Sequence, residues 1–129
     1  MTYDNLRSLP RFNHLNIPIS RANKTGLGSS AALITALTAA LLNFYTDADI
    51  SSDEGSHIVH NLAQVAHCAA QGKVGSGFDI AAAVYGSCIY RRFDPKILEH
   101  VLLDSTEYYD EFRNKLRSLV NAKWDIEIT

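Results

Sequence analysis

The run Lys24-Thr25-Gly26-Leu27-Gly28-Ser29-Ser30-Ala31-Ala32 joins a glycine-rich loop to a strongly apolar stretch, and this junction constrains the chain more than any other feature. Glycines lack Cβ, so the backbone there takes left-handed φ and approaches an anion closely, while the unpaired N–H groups of a helix start point at it. Ser29 and Ser30 add hydroxyls that can cap the helix, donate to a phosphate oxygen, or sit on a Mg²⁺ bridging phosphates. The residues alone leave rivals. A capped core helix with small residues at its entrance has the same composition. Gly26-x-Gly28-x-x-Ala31 also meets a loose dinucleotide fingerprint, with Asp47 and Asp49 downstream where a ribose-binding acid would stand. That fingerprint needs a buried strand running into its first glycine, yet Ser20 to Thr25 is polar. A Walker loop requires its Lys-Ser/Thr pair after the last glycine, whereas Lys24-Thr25 precede both.

A second segment, Gln71-Gly72-Lys73-Val74-Gly75-Ser76-Gly77-Phe78-Asp79-Ile80-Ala81, is another glycine-rich turn that carries a lysine, a serine and an aspartate into a small-residue helix from Ile80 to Tyr85. Two such loops, each opening a helix, allow one pocket to be lined from two sides.

Together these residues resemble the GHMP small-molecule kinases, and within them the fungal-type branch whose acceptor is phosphomevalonate. The resemblance rests on KTGLGSSAALITALTAALL, on HNLAQVAHCAAQGKVGSGFDIAAAVYGS, and on Tyr90-Arg91-Arg92-Phe93. It runs from Arg11 to Pro95, with a weaker echo from Ala122 to Ile128. It implies an ATP-phosphate loop formed by Lys24, Gly26, Leu27, Gly28, Ser29, Ser30 and Ala31, with Ser30 as the hydroxyl ligand of Mg²⁺ and Asp79 as the catalytic carboxylate. Gln71, Gly75, Ser76 and Gly77 fall on the substrate side. Three departures limit the carry-over. Lys24-Thr25 stand where many members have a proline, and Cys68 stands where mevalonate kinases place a metal-binding glutamate, which leaves the carboxylate ligand unassigned. The family's N-terminal lysine motif and C-terminal glycine-rich motif have no counterpart. The chain thus reads as one partial N-terminal, ATP-binding domain over residues 1–129, without a separate C-terminal domain, and is expected to lack appreciable kinase activity by itself.

The chemistry implied is phosphoryl transfer from ATP to a phosphate monoester, where position and charge matter more than covalent steps. A phosphate acceptor has its second pKa near 6, so it is mostly ionised and offers Asp79 little proton to remove. Asp79 is therefore expected to orient a cation first and to act as a base second. A carboxylate beside two phosphates needs counter-charge, for which Lys73, inside the second loop, is the first choice, ahead of Lys24, Arg21, Arg91 and Arg92. A solvated loop lysine is the alternative for Lys73, and a helix-capping carboxylate for Asp79.

Composition fits one unit of this kind. The 129 residues are 47% hydrophobic and 20% charged with a net charge of −2, so no uniform basic field invites nucleic acid. No apolar signal region opens the chain, and Ala31 to Leu42, interrupted by Thr35 and Thr38, is too short to span a bilayer. A cytoplasmic setting without membrane partners is expected, with Cys68 and Cys88 as reduced core residues. The partner is a small molecule; oligomeric state stays open. A truncated, non-catalytic kinase-like domain that binds nucleotide or another chain is the competing reading.

The scaffold is expected to be α+β, sharpened by the resemblance to a ribosomal protein S5 domain 2-like fold, truncated. Phe12 to Ile19 reads as an edge strand and Ala31 to Tyr45 as a helix with almost no solvent face, buried at the centre of its domain. Asp53 to Ala70 reads as an amphipathic helix capped by Ser52. One face of it carries His57, His60, Asn61, Gln64, His67, Cys68 and Gln71, opposite Ile58, Leu62, Val65, Ala66 and Ala69, and it should cover the core with its apolar side. Those polar side chains fan out over several turns and do not converge as a zinc site would; His67 and Gln71, at the end leading into the second loop, can touch substrate or cap that loop. Gly86 to Phe93 reads as a strand, Pro95 to Leu103 as a short helix, Glu107 to Val120 as an amphipathic helix with Phe112, Leu116 and Leu119 inward, and Trp124 to Ile128 as a last strand.

Overall fold

The computed structural model describes residues 7–8, 16–21, 26–98, 109–122 and 124. Their backbone is mostly helical: α1 spans Ser29–Tyr45, α2 Asp53–Gln71, α3 Phe78–Tyr85 and α4 Tyr109–Asn121. A short 3-10 turn covers Ile19–Arg21.

The central element is α2, not α1. Ser52 caps it as expected, its Oγ accepting from the Gly55 N–H at 3.0 Å while donating to the Asp49 carbonyl at 2.7 Å. Asp53 and Glu54 sit in the first turn, at the positive end of the helix dipole. Gly72 ends it with φ +65°, a left-handed cap whose N–H reaches the Ala69 carbonyl while the Lys73 N–H reaches that of Cys68. One flank of α2 packs Ala63 against Ala31 of α1 and Ile80 of α3. The other packs Val65 and Cys68 against Phe93, Leu98 and Trp124, with Leu116 and Leu119 of α4 around them.

The expectation that α1 would be buried all round is therefore corrected. It packs through a narrow seam, with Ala31 and Thr35 buried and Ile34 and Val84 of α3 closing the contact. Leu33, Leu37, Leu41 and Phe44 are exposed, Leu33 by 71% and Phe44 by 78%. Apolar composition on every side removes the periodic signal that would have marked which stripe faces inward.

The polar face of α2 is corrected as well: it points inward. His60, Asn61 and Gln64 are fully buried and His67 nearly so. The cause is the C-terminal end of α4, whose last carbonyls have no partners within the helix. Asn61 Nδ2 lies 2.9 Å from the Val120 carbonyl oxygen and 3.2 Å from that of Ala122, and Trp124 Nε1 donates to Leu119 at 2.9 Å. His57 Nε2 also faces the Ala122 carbonyl, at 3.0 Å, and donates to it, while Asn61 Nδ2, 3.2 Å from the same nitrogen, directs its hydrogens to the carbonyls of Val120 and Ala122. Polar residues on α2 are thus the capping groups of another helix.

The extended segments also differ from expectation. Residues 86–93 form no strand: Tyr90 makes a single-residue bridge, Gly86 turns the chain with φ +74°, and Phe93 drops into the core. A strand needs a neighbouring ladder, and among the described residues this segment has none. Residues 16–18 are irregular before the 3-10 turn, while 12–15 lie outside the described residues. Residues 96–98 begin the short helix, and its continuation to Leu103 lies outside, as does the last strand beyond Trp124.

His60 carries a pH signature. Its Nδ1 faces Asn61 Oδ1 at 3.2 Å, which makes Nδ1 the protonated nitrogen, and among the described residues its buried Nε2 has no hydrogen-bond partner. The ring lies edge-on to Trp124 at 6.0 Å and beside Tyr85 at 5.6 Å. Burial, with a smaller contribution from His57, holds its pKa below the ordinary histidine value of 6.5, against the opposing pull of Asn61. A depressed folded-state pKa means that the unfolded chain binds the proton first. This contribution to stability is complete above about pH 6.5 and is lost as pH falls from there through the folded-state pKa. Urea unfolding from about pH 7.5 to about pH 5 is expected to show falling stability, with a shallower fall in His60→Leu. Equal slopes in the two proteins would exclude His60 as the source.

Candidate active site

The two glycine loops meet. Gly28, the residue before α1, has φ +71°, and a Cβ placed on it would stand 3.6 Å from the Asp79 Cβ in the first turn of α3. Gly77, before α3, has φ +86°. Both helix starts therefore converge. Each helix makes its first internal bond only four residues on, Ala32 N–H to the Gly28 carbonyl and Ala81 N–H to the Gly77 carbonyl. The preceding N–H groups of each have no carbonyl partner within the helix, which concentrates two positive dipole ends in one place. Neither serine of the first loop caps α1, because Gly28 occupies the capping position and offers no side chain.

A cleft of about 490 Å³ opens at this junction, lined by Gly26, Leu27, Gly28, Ala32, Phe78, Asp79, Ala82 and Ala83. Leu27 and Phe78, 85% and 64% exposed, form its apolar lips. Asp79 supplies the only charged side chain among the described lining residues, and Asp79 Oδ1 accepts from the Ile80 N–H at 3.0 Å. Among the described residues the lining contains no lysine or arginine.

The other residues singled out in the sequence fall around this cleft. Ser30 is exposed yet turned from it, its hydroxyl facing His67 Nε2 at 3.3 Å. Ala31 is buried in the core, which leaves its backbone as the part able to reach a ligand. Ser29, Lys73, Gly75 and Ser76 are not on the lining, and Lys73 is exposed. Lys24 lies outside the described residues. Gln71 is exposed, and its side-chain nitrogen lies 3.0 Å from His67 Nε2.

The second loop is held from behind by residues that sequence reasoning had assigned to a strand. The Tyr90 hydroxyl donates to the Ser76 carbonyl at 2.8 Å, and Arg92 reaches the Gly75 carbonyl at 3.5 Å, a long contact. Burial raises the Tyr90 pKa above that of a free tyrosine, and the Phe93 backbone and Arg92 act the other way, so it stays a donor at neutral pH. Gly77 fits under this arrangement closely. A Cβ there would meet the Tyr90 hydroxyl at 2.6 Å, Gln64 Oε1 at 2.8 Å and Phe93 at 3.0 Å. Tyr90 and Gln64 were missed as loop-shaping residues, and only contact across the fold reveals them.

A metal fits this site on limited terms. Among the described residues no group of three or more His, Cys, Asp or Glu converges. One carboxylate and one nearby hydroxyl do not make a cage for a resident cation, but they suit a Mg²⁺ that arrives on nucleotide phosphates and keeps several waters.

Comparison with known proteins gives the class of this domain. Residues 11–87 match the family described as GHMP kinases N terminal domain, and the chain belongs to that family. Among curated proteins it is 54% identical over 123 residues to a phosphomevalonate kinase of Gibberella zeae, covering 92% of this chain and 27% of that protein. It is 59% identical over 96 residues to one of Aspergillus fumigatus, covering 74% of this chain and 20% of that one. A peroxisomal phosphomevalonate kinase of Arabidopsis thaliana is 44% identical over 110 residues, 79% of this chain and 21% of the plant protein. The chain thus spans about a quarter of the length of these relatives. No solved structure gives a significant match.

The junction predicts a graded response at Gly28. Gly28→Ala places its Cβ at ordinary contact distance from Asp79 and carries only the cost of a left-handed residue, about 1 to 2 kcal/mol. Gly28→Val adds branches directed at Asp79 and stiffens the loop further. Calorimetry with MgATP should find weakened binding in the first and none in the second. An anion seen in a crystal only beside Arg91 and Arg92 would place the phosphate site elsewhere.

Proposed function

We propose that this chain carries the nucleotide loop and the catalytic carboxylate of an ATP-dependent kinase that phosphorylates phosphomevalonate to diphosphomevalonate, in the cytoplasm. The observation that carries the reading is Gly28 against Asp79, two helix starts and one carboxylate on a single cleft. The names of the relatives point to the same acceptor.

The residues divide the work by their chemistry. Backbone N–H groups at the start of α1 suit the nucleotide phosphates, because they carry partial positive charge without the desolvation cost of a buried cation. The left-handed turns at Gly26 and Gly28 bring that backbone close. Leu27 and Phe78 present apolar surface at the cleft mouth that a bound nucleotide would cover. Asp79, pinned through Oδ1 to the Ile80 N–H, presents its remaining oxygen in a fixed direction and orients a cation or lysine at the transferring phosphoryl. Ser30 and Asp79 are the residues that would hold Mg²⁺; the ion, when bound with ATP, neutralises charge that develops on the phosphoryl oxygens. Gln71, Gly75, Ser76 and Gly77 are assigned to the acceptor side, with Lys73 as the cation for the acceptor phosphate.

Among the described residues the cleft lining carries one negative and no positive side chain, so two phosphates bound there would need counter-charge from elsewhere. The chain alone is therefore expected to bind MgATP with no acceptor-dependent ADP release. Catalysis is tested by placing residues 26–98 of this chain into the Gibberella zeae relative in exchange for the matching segment and following ADP release in a coupled assay. The chimera should turn over phosphomevalonate. Asp79→Asn in it should lower turnover by about 10²- to 10³-fold, the cost typical of a lost electrostatic group, with MgATP affinity little changed. A chimera that binds nucleotide but never turns over supports the non-catalytic reading instead, and unaltered turnover in Asp79→Asn returns that residue to capping.

A further inference from the structure

His67 stands between the two glycine loops. It is 6% exposed, and its Nε2 faces two partners at once, the Ser30 hydroxyl at 3.3 Å and the Gln71 side-chain nitrogen at 3.0 Å. Ser30 belongs to the first turn of α1, directly after the first loop; Gln71 is the last residue of α2, directly before the second. An amide nitrogen only donates, so the imidazole nitrogen facing it is the bare, accepting one. That nitrogen has a single lone pair. The Ser30 hydroxyl, facing the same atom, also donates to it, and the two donors compete. Distance ranks them: Gln71 holds the lone pair, while Ser30 stands at the long edge of hydrogen-bonding range.

We propose that His67 is the positioning residue for the Ser30 hydroxyl and that Gln71 is its competitor, so that one imidazole nitrogen links the first loop to the second. The proposal rests on the reading of Gly26 to Ser30 as the nucleotide-phosphate loop. When the Ser30 oxygen gives a lone pair to a phosphate-bound cation, its O–H becomes more polar and a stronger donor. It then takes the His67 lone pair, and the Gln71 amide is released. His67 in turn fixes the direction of the Ser30 O–H bond and keeps the serine oxygen lone pairs turned from the imidazole. Gln71, exposed at the entrance of the second loop, becomes available to the acceptor only after the first loop is engaged. The pair therefore works as an ordering device: occupation of the nucleotide loop frees a donor on the acceptor side.

The test combines calorimetry of MgATP binding to the 129-residue chain with ¹⁵N spectra of the His67 imidazole. The wild type should show an unprotonated Nε2. Gln71→Met removes the competitor from an exposed position and should tighten MgATP by on the order of threefold, the size of one net hydrogen bond. His67→Phe should weaken it by at least as much, and His67→Gln, which keeps an acceptor oxygen, should restore most of the loss. A merely structural histidine predicts unchanged or weaker binding in Gln71→Met, and that result, or a protonated Nε2, overturns the proposal. Should the wild type bind no MgATP, the phosphate-loop reading fails separately. The spectra then decide the link: it requires the Nε2 resonance to move in both Ser30→Ala and Gln71→Met, and is overturned if either variant leaves it in place.

Discussion

The inward polar stripe of α2 is the constraint on which the other elements depend. A helix end buried without partners for its carbonyls is costly, at about 1 to 3 kcal/mol for each unsatisfied group. Here α4 ends against α2, and Asn61, His57 and Trp124 Nε1 supply the donors. The Trp124 ring packs there against Phe93, at 5.0 Å between ring centres, and edge-on to His60. Phe93 in turn closes over Gly77, and Gly77 starts α3. Packing beneath the second loop is thus continuous with the capping of a helix on the far side of α2.

On the other flank, small residues do the equivalent work. Ala31, Ala63 and Ile80 let three helices approach closely, and this closeness sets the start of α1 beside the start of α3. Two positive dipole ends at such a distance repel each other unless something negative lies between them. Asp79 fills that role in the free protein, with its carboxylate on the Ile80 N–H at the α3 end. A bound phosphate would take it over at the α1 end. The same aspartate is therefore both a structural counter-charge and the group best placed to meet an incoming cation, and its capping and catalytic readings describe one electrostatic position.

What the sequence disclosed follows from how local each signal is. Ser52 with Asp53 and Glu54 marked the start of α2, and Gly72 its end, because caps are written within a few residues. The two glycine loops were equally legible, since Gly28 and Gly77 take left-handed φ for reasons confined to their own turns. The inward face of α2 was not. A stripe of His, Asn and Gln is polar whether it meets water or another helix's carbonyls, and only the position of α4 decides between these. Periodicity was likewise silent for α1, where leucines occupy the exposed side as well as the seam. The strand expected over residues 86–93 needed a partner strand, and the local sequence says nothing about whether one exists.

The placement of Ser30 shows why motif and geometry carry different information. The motif puts two hydroxyls at a phosphate loop, yet the cleft is lined there by Gly26, Leu27 and Gly28 while the Ser30 hydroxyl faces His67. Backbone groups hold an anion by shape and partial charge, and they do so whichever way a neighbouring serine points. A hydroxyl adds direction only when its proton has a fixed acceptor, because a freely rotating O–H presents donor and lone pairs interchangeably. Burying His67 behind the loop provides that acceptor on a rigid helix. The direction of the Ser30 hydroxyl is thus tied to an atom of α2 that the loop sequence does not contain, and Gln71, the last residue of α2, reaches the same atom.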